Sequence, residues 1–133
     1  MLIRIQPEAN EPIFEQIVHQ FVLLIAAQTI DNGTVLPSIR ELAKELLVNP
    51  NTVARAYQEL ERQGILVAHR GKGMDLADQA VKRCRELRGQ RLKERLGVVL
   101  QEARSSGLEL ETVKQWVDEE WGRGAGRVRK ESR

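Results

Sequence analysis

Apolar residues recur every three or four positions through most of this chain, and the breaks in that rhythm mark out its elements. Ile39, Leu42, Ala43 and Leu46 fall at i, i+3, i+4 and i+7, which puts one apolar stripe on a short helix. Ser38 stands where a side chain caps that helix, and Glu41 follows three residues later to complete a capping box. After Leu47 and Val48, Asn49 is placed to cap a second helix. Pro50 suits its first turn, where the missing N–H is no loss. Val53, Ala56, Tyr57 and Leu60 repeat the stripe, and Gly64 suits the left-handed residue that closes a helix. Two short helices with inward stripes and a tight turn between them make a helix-turn-helix. Ile65 to Ala68 then predicts a strand, and His69-Arg70-Gly71-Lys72-Gly73 a basic turn with two glycines. A hairpin directly behind the second helix is a wing.

The flanking segments carry the same code. Residues 2–5, Leu-Ile-Arg-Ile, predict a short edge strand. Pro12 opens a helix running to about Gln28, with Phe14, Ile17, Val18, Phe21, Leu24 and Ile25 on one face. Val22, Leu23, Ala26 and Ala27 widen that face, as on a helix covered from two sides. The run Phe21 to Ala27 is far short of the roughly twenty residues that span a bilayer, so no membrane partner is expected. Asp31-Asn32-Gly33 is turn chemistry.

After the wing, helical periodicity runs from Leu76 to Ala103 through Ala80, Val81, Cys84, Leu87, Leu92, Leu96 and Val99. Gly89 interrupts it at a cost of about 1 kcal/mol relative to Ala, which points to a kink or a close approach there. Ser105-Ser106-Gly107 breaks the pattern, and Leu110, Val113, Trp116 (or Val117) and Trp121 predict a shorter helix. These two helices form a hairpin too small to enclose a core. Leu92, Leu96, Val99, Val113, Trp116 and Trp121 therefore call for a partner, either the same hairpin of a second subunit or this chain's own N-terminal part. The two Trp residues also admit a ligand cage, although helical spacing favours packing. The expected architecture is mainly α with a small β-wing. Residues 1–75 form a winged helix-turn-helix, 76–121 a helical dimerisation hairpin, and 122–133 a flexible basic tail. That tail holds three glycines and five basic residues, and reads as either a nonspecific phosphate-binding arm or a plain solvated end.

Composition changes this picture little. The 133 residues suit one domain with an appendage, and the net charge of +2 is weak support for a nucleic-acid partner. Residues 36–75 hold six basic and five acidic side chains, so any positive face of the motif must come from placement. The one cysteine, Cys84, excludes an internal disulfide and fits a reducing cytoplasm. Its position in a helical stretch reads as packing ahead of redox chemistry. His19 and His69 lack companions at ligand spacing, so no metal or other cofactor is expected.

Asn51, Thr52, Arg55, Gln58, Glu59 and Arg62 lie opposite the apolar stripe of the second helix. A recognition helix reads the major groove mainly with its N-terminal residues, here Asn51, Thr52 and Arg55. Arg pairs with guanine, Asn with adenine, and the Thr methyl can meet that of thymine. The N–H groups at the start of this helix can also hold a phosphate. A polar solvent face on an ordinary helix pair is the competing reading of the same spacing.

Leu36-Pro37-Ser38-Ile39-Arg40-Glu41-Leu42-Ala43, Val48-Asn49-Pro50-Asn51-Thr52-Val53, Ala56-Tyr57-Gln58-Glu59-Leu60 and Gly64-Ile65-Leu66 together resemble a GntR-type winged helix-turn-helix. The Asn-Pro-Asn-Thr-Val form and the short chain are most similar to the YtrA-like subfamily of bacterial transcription regulators. The match covers roughly residues 10 to 73. The resemblance implies DNA contacts from Arg40, Asn51, Thr52 and Arg55 and puts Gly71 and Gly73 at the wing tip; Ser38, Asn49 and the wing residues His69, Arg70 and Lys72 are further DNA-binding candidates. The resemblance also implies pairing of the residue 2–5 strand with the wing. The family follows its Gly-x-Gly with Thr and an aromatic, whereas this chain has Met74-Asp75-Leu76, so a short or frayed second wing strand is expected.

These features point to a cytoplasmic, homodimeric regulator, expected to be a repressor, binding an inverted-repeat DNA operator. Two half-sites about one DNA turn apart are the usual target of such a dimer. The resemblance adds control of a transporter operon. A small-molecule effector is possible, but fewer than sixty residues follow the wing, too few for a deep private pocket. A winged protein-interaction module or a nonspecific DNA-binding protein are the alternatives. No nucleophile–base set or P-loop spacing points to an enzyme.

Overall fold

The computed structural model describes residues 3–69 and 73–131, with side chains to residue 124. Its elements are α1 (Ile13–Ala26), α2 (Ile39–Leu46), α3 (Pro50–Arg62), β1 (Leu66–His69), β2 (Gly73–Leu76), α4 (Ala80–Ser105) and α5 (Leu110–Glu131). The chain divides into two compact units, Met1–Gln90 and Arg91–Arg133.

The first unit is a three-helix cluster with a wing. α3 packs against both α1 and α2, and β1 follows it directly. Ile17, Phe21 and Ile25 of α1 meet Leu42 of α2 and Val53, Ala56, Tyr57 and Leu60 of α3 in one core, closed by Ile65 and Leu66. Phe21 and Tyr57 meet edge to face, their centroids 5.6 Å apart and their planes at 88°, a favoured aromatic geometry. The Tyr57 hydroxyl donates to the Pro37 carbonyl over 2.7 Å, which ties α3 to the residue preceding the α2 cap.

Capping sets the helix ends as the sequence predicts. Ser38 Oγ accepts from the Glu41 N–H at 3.1 Å and Asn49 Oδ1 from the Asn51 N–H at 2.8 Å. Gly64 closes α3 at φ +76°, and the next N–H, of Ile65, returns to the Leu60 carbonyl at 2.9 Å. α2 closes by the same device on a residue that resists it. Leu47 takes φ +57° with its side chain 90% exposed, a conformation costing about 1–2 kcal/mol outside glycine.

β1 and β2 pair antiparallel, Leu66 with Leu76 and His69 with Gly73. The second wing strand is thus complete, contrary to the frayed end expected from Met74-Asp75-Leu76. Met74 and Leu76 pack against the core, and Asp75 Oδ2 meets His69 Nε2 diagonally at 3.1 Å.

The expected strand at residues 2–5 is not formed among the described residues, where the sheet has two strands. Two glutamines one turn apart on α1 hold that segment instead. Gln20 bonds both backbone groups of Arg4, with the Arg4 N–H donating at 2.7 Å. Gln16 accepts from the Gln6 N–H at 2.9 Å and donates to the Gln6 and Glu11 carbonyls at 3.0 and 2.9 Å. Side-chain amides satisfy the backbone that a sheet edge would otherwise have paired.

The first turns of α4 pack with the winged helix-turn-helix in the first unit. Ala80 and Cys84 are buried in the core, with Val81 and Leu87 packed against it. Arg85 Nε donates to the Ala26 carbonyl at 3.0 Å, placing a cation at the negative end of the α1 dipole. α4 continues through Gly89, and a methyl group there would meet nothing within 4 Å, so no close approach requires that glycine.

In the second unit α5 runs to Glu131, so the backbone from Gly122 to Glu131 is helical despite its three glycines. Extending a formed helix costs far less than starting one, which lets it pass through weak formers. Among the described residues no helix is long and apolar enough to cross a membrane.

Candidate nucleic-acid interface

The helix-turn-helix divides its polar residues between holding the motif and facing outward. Ser38 and Asn49 spend their side-chain oxygens on the caps, so their first task is to fix where α2 and α3 begin. Arg40 lies exposed in the first turn of α2. Asn51 and Arg55 are exposed on the N-terminal half of α3, with Thr52 half-buried between them.

The start of α3 lacks the spare donors expected of it. Pro50 has no N–H, that of Asn51 is bound to Asn49 Oδ1, and that of Thr52 bonds the Asn49 carbonyl at 2.9 Å. A phosphate there would meet the helix dipole but no idle N–H from these residues.

Charge along the outward face of α3 is uneven. Arg62 grips Glu59 through two bonds, one from Nε at 2.9 Å, and Gln63 donates to the same carboxylate at 2.8 Å. The bonds from Arg62, then that from Gln63, hold the Glu59 carboxyl down at about 2. The C-terminal half is therefore an internally paired acid and base, while the N-terminal half keeps Arg55 in the open.

Arg55 has a support that sequence reading missed. Its Cζ lies over the Phe14 ring, 3.8 Å from the centroid. Phe14 had read only as part of the α1 core face, and no local pattern links the second position of α1 to α3. The likeness that could have flagged it is only that a cation on one helix meets an aromatic on another.

In the wing, His69 is exposed and paired to Asp75, and Gly73 begins β2 at φ +79°, where glycine avoids strain. Arg70, Gly71 and Lys72 lie outside the described residues. An open cleft of about 790 Å³ lies beside the start of α4, walled by Asn32, Gln79, Lys82, Arg85 and Glu86.

The second unit exposes most of its apolar side chains. From residue 91 to residue 124 every residue is exposed except Ala103 and Val113, which are half-buried. Leu92, Leu96, Val99, Trp116 and Trp121 are among the exposed, and Trp121 is 80% accessible. Val98, Leu100, Leu110 and Val117 are exposed as well.

A winged helix-turn-helix with an open cation on its second helix is a fold shared by many DNA-binding proteins, and comparison with known proteins narrows it. The model of the bacterial regulatory proteins of the gntR family matches residues 13–76. Over 118 residues the chain is 39% identical to the HTH-type transcriptional repressor YtrA of Bacillus subtilis, spanning 89% of this chain and 91% of that one. The chain belongs to the GntR family.

Solved structures agree with that membership. A GntR family transcriptional regulator from Listeria monocytogenes matches with a TM-score of 0.70 at 33% identity, over 84% of this chain and 97% of that one. YtrA from Sulfolobus acidocaldarius, a GntR-family transcription factor, matches with a TM-score of 0.56 at 31% identity, over 79% and 99% of the two chains. This GntR protein is accordingly a DNA-binding transcription regulator and not an enzyme.

Proposed function

We propose that this GntR protein is a homodimeric repressor that reads an inverted-repeat operator in the cytoplasm. Asn51, Thr52 and Arg55 meet base edges in the major groove, while Arg40 and the wing residues His69, Arg70 and Lys72 sit on the backbone or the adjoining minor groove. Gly73 opens the second wing strand at φ +79°. The observation that carries the proposal is the run of exposed apolar side chains on α4 and α5, in a chain whose DNA-binding fold presents one reading helix.

Exposed stripes of this size are unfavourable in water unless another surface covers them. A second copy brings an identical stripe, which a two-fold axis makes self-complementary. Leu92, Leu96 and Val99 of α4 and Val113, Trp116 and Trp121 of α5 form the seam. Two copies supply two reading helices, which one chain cannot, and that matches an operator of two half-sites. The relative from Bacillus subtilis named a transcriptional repressor supports the direction of control.

Leu96→Glu tests the assembly, because a charge in the seam has no partner when the dimer forms. Analytical ultracentrifugation should show the wild type as a dimer and the variant as a monomer with unchanged helical circular dichroism. Operator binding should fall with it. A variant that stays dimeric, or a monomer that binds the operator as tightly as the wild type, overturns the proposal.

A further inference from the structure

Arg55 is a long, flexible side chain on the reading face, and the structure shows what holds it. Its guanidinium carbon lies 3.8 Å from the centre of the Phe14 ring. That ring is itself fixed, since Phe14 is half-buried, packed against the core, and carried on a helix that packs directly against α3.

The kind of contact matters as much as its presence. A cation over a ring is attracted to the negative π face, and a guanidinium used in this way keeps its N–H donors, which lie in its own plane. A carboxylate would hold Arg55 equally well but would occupy those donors. Glu59, one turn further along α3, is the acid placed to do so, close enough that the Arg55 charge helps to lower its carboxyl. Its oxygens are already taken by Arg62 and Gln63. Arg55 is thus left on the ring, with its donors available for the two acceptors of a guanine edge.

We propose that Phe14 is a positioning residue for base recognition. It makes no base contact, and it preorganises the Arg55 guanidinium so that less side-chain freedom is lost when a base is bound. The inference rests on the reading of Arg55 as a base contact.

The test is a double-mutant cycle in the full chain. Binding of Phe14→Leu, Arg55→Ala and the double variant is measured on a selected operator and on scrambled DNA. Phe14→Met serves as a second apolar replacement should Phe14→Leu melt early, and Phe14→Trp restores a ring face. Phe14→Leu should weaken operator binding by about twofold to fivefold and leave scrambled DNA unchanged, the range expected for an exposed cation–π contact. Phe14→Trp should bind like the wild type, and Phe14→Leu should have no further effect once Arg55 is Ala.

Equal losses on operator and scrambled DNA, or a Phe14→Leu loss that persists in the Arg55→Ala background, would reduce Phe14 to a packing residue. No loss from Phe14→Leu beside a clear loss from Arg55→Ala overturns the positioning role alone. Arg55→Ala binding the operator like the wild type overturns the base-reading assignment first, and the positioning role with it.

Discussion

Tyr57→Phe isolates the bond that ties α3 to the residue preceding the α2 cap. The hydroxyl donates to the Pro37 carbonyl over 2.7 Å, and the ring is 3% exposed and wedged edge-on against Phe21. Phenylalanine keeps that packing and removes one oxygen. The lost bond contributes about 1 kcal/mol, and a half-buried carbonyl left without its donor adds to this, giving a total of about 1–2 kcal/mol. For a unit of this size each kcal/mol moves the melting midpoint by roughly 4–8 °C. Urea unfolding should show the loss as a lower midpoint with an unchanged m value.

The same site has an alkaline signature. Burial above all, then the charges of Glu41 and Glu45, raises the Tyr57 phenol well beyond its ordinary range. The folded protein therefore keeps a proton that the unfolded chain gives up. Stability from this source is fully present below the ordinary phenol value of about 10 and declines above it, by at most ~1.4 kcal/mol per pH unit. Tyr57 is the single tyrosine, so its ultraviolet titration is read without overlap. A loss below about 0.5 kcal/mol in Tyr57→Phe would refute the reasoning, being less than one ordinary hydrogen bond. So would a phenol that ionises near its ordinary value while the fold persists.

Other consequences follow from single side chains. Leu47→Gly should stabilise the protein by about 1 kcal/mol in urea unfolding, since relief of a left-handed leucine exceeds the added freedom of the unfolded chain. Burial pushes the Cys84 thiol up to about 11, so a neutral-pH thiol reagent should label the folded protein far more slowly than the protein in urea. Arg62→Ala should weaken operator binding by about twofold although Arg62 sits at the far end of α3, because it frees Glu59 to engage Arg55 one turn away. Adding Glu59→Gln should restore the affinity, and failure of that rescue would show Arg62 acting on DNA directly.

What the sequence revealed was mostly what local rules encode. Ser38, Asn49, Pro50 and Gly64 each announce a helix end through a neighbour within a few residues, and the structure uses all four as caps or closures. The wing was legible up to its turn. Its second strand was underrated because a missing family residue says nothing of Met74 and Leu76, whose burial holds the strand. The leading strand failed for a related reason. Leu-Ile-Arg-Ile has strand propensity, but whether it pairs with a sheet or with Gln16 and Gln20 depends on residues a turn apart on another element. Leu47 gave no signal, since a left-handed leucine is imposed by the turn between α2 and α3. The outward placement of Asn51 and Arg55 was visible from periodicity, whereas the contact of Arg55 with Phe14 joins distant positions. The apolar stripes of α4 and α5 were legible from their spacing alone, and most of those side chains are exposed.

The most direct test of the account is selection of bound sequences from a random double-stranded DNA pool, followed by titration of the winner and its scramble at two salt concentrations. A dimeric regulator reading through α3 should enrich an inverted repeat and bind it at least about a thousandfold more tightly than its scramble. Both affinities should weaken with salt, and the gap between them should persist. A pool that yields no repeat, with binding that merely follows salt, would contradict sequence reading by Asn51, Thr52 and Arg55.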